Sequence, residues 1–425
     1  MSDSRADLQA LIDATPIGGS ITLADGTYDV SGSPAGYYGL RLTKPITIRG
    51  SGATVLRQMA GTPASYRLVQ VDAPGCTLDR IELDGQAAAQ TADTHRHGVF
   101  VEADGVRLVG VDAHDFTGDG LYLYTGADHA LIDACSAHEN TRNGVTLSGQ
   151  ISGVAIRGCS VTANGAQGID SEPGAPWTVN DVTITDSIIA STDYAIAVSG
   201  SDSTHRSTGW RIVNCTITGG VNVVWADDVA LVDCEIVSAT DHPAVKIYRT
   251  CHGVTVARCA LSMTNASLVM PAAVYALGTG PGQAPDDVLI AANTITTAAP
   301  SSFGVRAQGV VDVTIADNVI IGAGIAASMA AGVYVRATDT ATPVRAVTIV
   351  GNAITDHGAR GVSIAGYSVN GTNAQISSLR IAGNAIGSVG GPQITGIVAD
   401  DGTHPVVSAV IVDNGYGAGV SAGRL

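Results

Sequence analysis

A short motif, Val-x-Ile-x-x-Cys or Asn, returns along most of this chain: Val154–Cys159, Trp210–Cys215, Val229–Cys234, Val254–Cys259, Val288–Asn293, Val313–Asn318, Val347–Asn352 and Leu379–Asn384. Its central apolar residue recurs roughly every 19 to 34 residues from Ile132 to Ile411, the spacing of a repeat architecture. A second marker follows each one, a small residue opening an alternating segment, as in Gly98-Val-Phe-Val, Gly120-Leu-Tyr-Leu, Gly144-Val-Thr-Leu, Gly168-Ile-Asp-Ser and Gly332-Val-Tyr-Val. Both are short, β-branched and of period two, with Gly, Asn and Asp between them, so each repeat holds at least two strands joined by turns. Units this small cannot bury an apolar face alone; they stack, each strand pairing in parallel with its counterpart about 4.8 Å away. The expected fold is all-β, a parallel β-helix solenoid of about eleven or twelve coils.

Composition narrows this further. With 52 Gly, three Phe, 14% charged residues and a mean hydropathy of +0.25, the chain suits dense turns around a core of Val, Ile and Ala. Because each coil touches only its neighbours, 425 residues read as one domain: a cap over 1–18, coils over 19–414 and a tail over 415–425. The net charge of −16 argues against nucleic acid as a partner, since phosphate binding needs clustered Lys and Arg. The start, Met-Ser-Asp-Ser-Arg-Ala-Asp, lacks the apolar segment of a signal peptide, and no membrane span is visible. The expectation is a chain made in the cytoplasm, reaching the outside, if it does, within something larger such as a virion tail.

Cys135, Cys159, Cys215, Cys234 and Cys259 share one ladder position, which Asn occupies from Asn293 onward. Stacked side chains with parallel Cβ vectors are wrongly placed for disulfides, and a line of thiols is no tetrahedral cage. Buried reduced thiols followed by an amide ladder are expected, with no metal and no cofactor.

At the N-terminus, Ser4-Arg-Ala-Asp7 has the form of a capping box, Leu8, Leu11 and Ile12 share a helical face, and Pro16 closes the segment. Asp7-Leu-Gln-Ala-Leu-Ile-Asp followed by Gly19-Ser-Ile-Thr-Leu-Ala-Asp-Gly-Thr-Tyr28 resembles the opening of right-handed β-helix proteins of the pectin-lyase-like superfamily. The resemblance implies a right-handed coil with a short N-terminal capping α-helix. It fixes no activity, because that superfamily includes polygalacturonases, alginate epimerases, phage tailspike depolymerases and non-enzymes.

Outward side chains must therefore carry the function. In the second strand of each repeat the second and fourth residues after the Gly point out. Stacked in register they give a face running through Phe100 and Glu102, Tyr122 and Tyr124, Thr146 and Ser148, Asp170 and Glu172, then Lys246 and Tyr248. Asp170 and Glu172 lie i and i+2 on one strand, roughly 6.5–7 Å apart at Cα, within reach of either glycosidase geometry. Their mutual repulsion on an uncovered strand is expected to raise one pKa and set an acid beside a base. Asp193 opens the next strand as a third carboxylate. Loops swell on the same edge, and Trp177 in one of them offers a sugar platform. His114 and His138 should stack, as should Asp119, Asn143 and Gln167, in turns that read as polar ladders.

Ser136-Ala-His-Glu-Asn-Thr-Arg142-Asn-Gly144 is similar to the turns of alginate epimerase modules, yet that family's D-P-H-E falls at Tyr122-Leu-Tyr-Thr125. Gly168-Ile-Asp170 resembles the G-I-D of polygalacturonases, but the preceding N-T-D is Gly165-Ala-Gln167 here. What remains resembles tailspike glycan depolymerases, which implies cleavage of a bacterial surface or extracellular polysaccharide by a homotrimer or a part of a larger particle. On that resemblance Glu172 is the general acid, Asp170 and Asp193 the base or stabiliser, and Tyr122, Tyr124, Trp177, Lys246, Tyr248, His138 and Arg142 contact substrate. Non-catalytic glycan binding, and lyase, epimerase or intramolecular glycosyl or fructosyl transfer on the same fold, stay open as alternatives.

Overall fold

The computed structural model describes residues 3–420 apart from 34–36, 266–271, 281, 299–301, 324–330, 338–343, 358–359, 366, 370–371, 375, 388–394, 400–408 and 418–419. It is an all-β parallel solenoid of about 12 turns, with one short helix at the N-terminus. It divides into two compact units, residues 1–201 with 207–211, and 202–206 with 212–425.

Both units repeat one coil, and each coil carries three strands rather than the two that the markers reveal. The first strand holds the Val-x-Ile motif, a second begins just after the ladder residue, and the third follows the Gly marker. In the first unit the central apolar residues pair as the repeat predicts, Leu108 with Ile132, Ile132 with Ile156 and Ile156 with Ile184. In the second unit Leu231, Val256, Ile290, Ile315, Ile349, Ile381 and Ile411 continue the same pattern. Apart from Ile411, these side chains are almost wholly buried and form the core.

A sharp turn separates the first two strands, and its cause recurs. The residue before the ladder position sits at positive φ in coil after coil, as at Ala134 (51°), Asp233 (56°), Arg258 (54°), Ala292 (55°) and Asp317 (55°). One left-handed residue redirects the chain and points the next side chain inward, a conformation that disfavours L-residues and persists because the stack imposes it. The inward residue then bonds between coils. Asn293 donates its backbone N–H and its Nδ2 to Asn318 Oδ1, both at 3.0 Å, and the pattern repeats from Asn318 to Asn352, Asn384 and Asn414. All seven cysteines are free and buried, and Ser187 holds the same position after Cys159, whose N–H it accepts at 3.1 Å.

The helix Arg5–Ala14 closes the first coil. Leu8 and Ile12 lie over Ile21, Leu23, Leu40 and Ile48, whereas Leu11, expected on that face, is 46% exposed. Ser4 makes no side-chain cap. Asp3 supplies it instead, its Oδ1 accepting the N–H of Arg5 at 3.0 Å and of Ser31 at 3.2 Å, which also ties the helix to the first coil. At the far end Gly415–Tyr416, expected in the tail, pairs in parallel with Ala385–Ile386. Among the described residues no helix is long and apolar enough to cross a membrane.

Candidate active site

In the first unit the third strands pair as His97–Val101, Leu121–Leu123, Val145–Ser148, Ile169–Glu172 and Ile196–Ser199. The register sets Tyr122 beside Phe100, Thr146 beside Asp170 and Ser148 beside Glu172, as the alternation requires. Exposure departs from expectation. Asp170 is only 7% exposed and Thr146 is fully buried, so this strand is covered rather than open.

Asp170 and Glu172 are hydrogen-bonded to each other, and burial, then the neighbouring Glu172, pushes the Asp170 carboxyl up to about 8. The raised pKa thus comes first from desolvation, where the sequence points to repulsion alone, and it falls on Asp170. Asn143 Nδ2 donates to Asp170 Oδ2 at 3.2 Å and to Thr146 Oγ1 at 3.0 Å. Glu172, its side chain 39% exposed, is ion-paired to Arg142 through Nη2. The other arm of that guanidinium, Nη1, reaches Asp119 Oδ2 at 2.9 Å.

Asp119 has no exposed surface. Its Oδ1 accepts the N–H of Asn143 at 2.9 Å. Burial pushes its pKa up to about 7 even against the Arg142 charge, so desolvation outweighs the ion pair here. His97, 2% exposed, accepts the backbone N–H of Asp119 on Nδ1 at 3.2 Å. Burial, with the Arg67 and Arg142 charges, holds it neutral, well below the usual histidine range. Its ring stacks on Tyr122 at 4.4 Å, and Tyr122 stacks on Phe100 at 5.1 Å. Arg67 lies 3.8 Å above the Phe100 ring. Tyr124 meets Trp177 edge-on at 6.3 Å, and Trp177 is 38% exposed at the rim.

Of the residues singled out in the sequence, Asp170, Glu172, Arg142, Tyr122, Tyr124 and Trp177 are therefore brought together. Asp193 enters at one remove: it accepts from Gln167 Nε2 at 3.1 Å, and the Gln167 N–H binds Asn143 Oδ1 at 3.0 Å. His138 does not join them. It lies on a second-sheet strand, stacked on His114 at 5.0 Å and paired with Asp112 at 3.1 Å. Lys246 and Tyr248 belong to the second unit, where they form their own contact at 4.5 Å. Sequence reasoning misses His97, Arg67 and the role of Asp119. A signal exists: each precedes or pairs with the residue before a Gly marker, giving the column Arg67, His97, Asp119, Asn143, Gln167.

Among the described residues, Asp84, His114 and Asp115 bring one potential metal ligand atom each within 4.8 Å of one another. Both ring nitrogens of His114 already meet carboxylates, Asp115 at 2.8 Å and Glu82 at 3.3 Å, which makes the group a satisfied polar turn.

The two raised carboxyls make stability depend on pH. Unfolded, Asp119 and Asp170 titrate near 4, so between about 4 and 8 the folded chain holds more protons than the unfolded one. Their contribution is fully present below pH about 4 and is lost as pH rises through about 7 and 8. His97 acts oppositely, favouring the fold above its ordinary value and failing as the pH falls through its lowered one. The difference between wild type and Asp170→Asn isolates the carboxyl: the melting temperature of wild type relative to the variant should decline between about pH 4 and about 8 and level off above. A flat difference would contradict a protonated Asp170.

A model of the family "Right handed beta helix region" matches residues 81–217. No curated protein matches the sequence. Among solved structures, the A-module of the Azotobacter vinelandii mannuronan C-5 epimerase AlgE4 aligns with 18% identity over 100% of this chain and 94% of its own, at a TM-score of 0.45. A tailspike protein of E. coli bacteriophage HK620 aligns with 13% identity over 99% and 77%, at 0.46. The tailspike gp49 of Acinetobacter baumannii bacteriophage Fri1, a capsular polysaccharide depolymerase, aligns with 14% identity over 75% and 56%, at 0.44. Three parallel strands per coil, repeated in both units, make this chain a parallel β-solenoid, and residues 81–217 of it are similar to the right-handed β-helix family.

Proposed function

We propose that the first unit hydrolyses a glycosidic bond of a bacterial surface or extracellular polysaccharide. The observation that carries this is the Asp170–Glu172 pair: one carboxyl is held protonated by burial, the other is drawn onto Arg142, and they share a hydrogen bond. This exchanges the roles expected from the sequence. Asp170 is the acid, giving its proton to the leaving glycosidic oxygen, and Glu172 takes the proton of the attacking water. The bond between them then returns that proton to Asp170. In the resting pair the carboxyls are closer than the roughly 5–5.5 Å of a retaining or 6.5–9.5 Å of an inverting glycosidase, so the glycosidic oxygen must replace Glu172 as partner of the Asp170 proton. Tyr122, Tyr124 and Trp177 supply flat faces for sugar rings, and Asp119 with His97 fixes Arg142.

Incubating the wild-type chain with a panel of bacterial capsular and extracellular polysaccharides tests this. New reducing ends without ultraviolet absorbance of an unsaturated uronate are expected. Unsaturated products would replace hydrolysis with elimination, and retention of a glycan without any cleavage would leave a binding protein.

A further inference from the structure

The cysteines of the inward ladder form two stacks of sulfur. In the first unit Cys135 and Cys159 lie on successive coils, and the residues that follow them, Ser136 and Ser160, pair directly. In the second unit Cys215, Cys234 and Cys259 do the same, with Thr216 paired to Glu235 and Glu235 to Ala260. A residue of another kind closes each stack: Ser187 Oγ accepts the Cys159 N–H at 3.1 Å, and Asn293 Oδ1 accepts the Cys259 N–H at 2.8 Å. Cys76 and Cys251 stand elsewhere, each just before a first strand, Thr77–Asp79 and His252–Ala257.

Within a stack the thiols meet. The Cys135 and Cys159 side chains are hydrogen-bonded to each other, and Cys234 is bonded to both Cys215 and Cys259. Backbone N–H groups also reach the sulfurs, from Cys215 to Cys234 and from Cys234 to Cys259 Sγ at 3.4 Å. Donors of this kind stabilise a thiolate and support metal-bound sulfur. The bonds from Cys215 and then Cys259 hold the Cys234 thiol below the usual range, so the middle sulfur ionises first. All of these thiols are free of disulfides and 3% exposed or less. Cys234 and Cys259 nonetheless come directly after exposed turn residues, Asp233 and Arg258, so they lie only one residue beneath the surface.

We propose that each stack binds one soft cation of linear, two-coordinate preference between thiolates of adjacent coils, with mercury(II) as the charge match. A line of thiols makes no tetrahedral cage for zinc, but stacked thiolates face each other across one coil. That spacing is about 4.8 Å, and two metal–sulfur bonds of about 2.3 Å laid end to end span about 4.6 Å. Thiolates select soft ions, and burial selects the charge. A divalent ion on two thiolates is neutral, whereas a monovalent one leaves a net negative charge in the core, which is costly. Binding replaces two thiol protons, one from each sulfur, with one ion; both protons leave to solvent and no electron is transferred. Neutrality also limits the stack of Cys215, Cys234 and Cys259 to one ion.

Equilibrating the full reduced chain with mercuric chloride, followed by dialysis against excess 2-mercaptoethanol, tests the proposal, since paired protein thiols compete far better than single ones. One ion per stack should remain, with the ultraviolet charge-transfer absorption of a two-coordinate mercury thiolate and a raised melting temperature. Zinc should be lost in the same dialysis. Cys234→Ser should retain one ion fewer, because Cys215 and Cys259 are then two coils, roughly 9–10 Å, apart. Cys159→Ser should also retain one fewer, while Cys251→Ser should match wild type. Serine already closes a stack at Ser187, so the ladder variants should keep a cooperative melting transition. No retained mercury, retention on all seven thiols, equal retention of zinc, unchanged retention in both folded ladder variants, an equal loss in Cys251→Ser, or loss of the melting transition on loading would each overturn it.

Discussion

Asp170→Asn should lose glycan cleavage by a factor of about 10² to 10⁴, the range for removing a positioned general acid, and should stay folded at about pH 7. Asp170 is protonated there, since burial lifts it to about 8, so the amide reproduces the native state instead of deleting a charge. Its oxygen can accept from Asn143 Nδ2, and its NH2 can donate to Glu172 as the carboxylic acid does. Only the transferable proton is gone. The wild-type rate should also fall above pH about 8, where Asp170 ionises. Glu172→Gln should likewise suppress turnover, and because Glu172 is the second cause of the raised value, any residual activity should lose its alkaline limb at a lower pH. Reducing-end assays across pH on both variants decide the matter, and wild-type rates in either would end the assignment.

The second large effect is on stability. Asn318→Ala should destabilise the second unit by about 2–4 kcal/mol, because buried groups left without partners cost roughly 1–3 kcal/mol each. Asn318 Oδ1 accepts both the N–H and the Nδ2 of Asn293, and its own Nδ2 donates to Ile290 O at 2.9 Å and to Asn352 Oδ1 at 2.9 Å. Alanine strands these groups at a position 1% exposed, where water has no access. Cysteine, which fills the equivalent position at Cys234 and Cys259, should lose less, since its thiol still donates to the carbonyl of the preceding coil, as Cys234 does to Ile212 O at 3.4 Å. Exposed Thr294→Ala on a neighbouring coil serves as control. Urea denaturation with amide exchange of the affected coils measures the difference, and matched midpoints for Asn318→Ala and the control would refute a stabilising ladder.

The coil is legible in the sequence because stacking forces repetition: every strand must bury the same side of its pleat, so the Val-x-Ile spacing, the Gly marker and the Cys-to-Asn column survive as periodic signals. Register follows from the same logic, which sets Asp170 beside Thr146 and Glu172 beside Ser148, the pairing that the folded strands adopt. The short second strand leaves too weak a pattern, three residues after a turn, to be read as a separate sheet. Ser4 and Leu11 show a like limit at the helix, where a matching motif does not say which neighbour, Asp3 or Ser4, faces the N–H groups.

Alternation gives a side chain's direction but not its surroundings, and here that difference decides the chemistry. In the sequence two carboxylates share one strand that reads as open. The fold covers it, so desolvation makes Asp170 the proton carrier, while Arg142, a coil apart in sequence from both Asp119 and Glu172, draws the two onto one guanidinium. His138 and Arg142, four residues apart, part company for the same reason: a turn lies between them, sending one to the second sheet and the other to the site. Repetition is written locally along the chain, whereas burial and charge pairing arise between coils, and only the folded stack determines them.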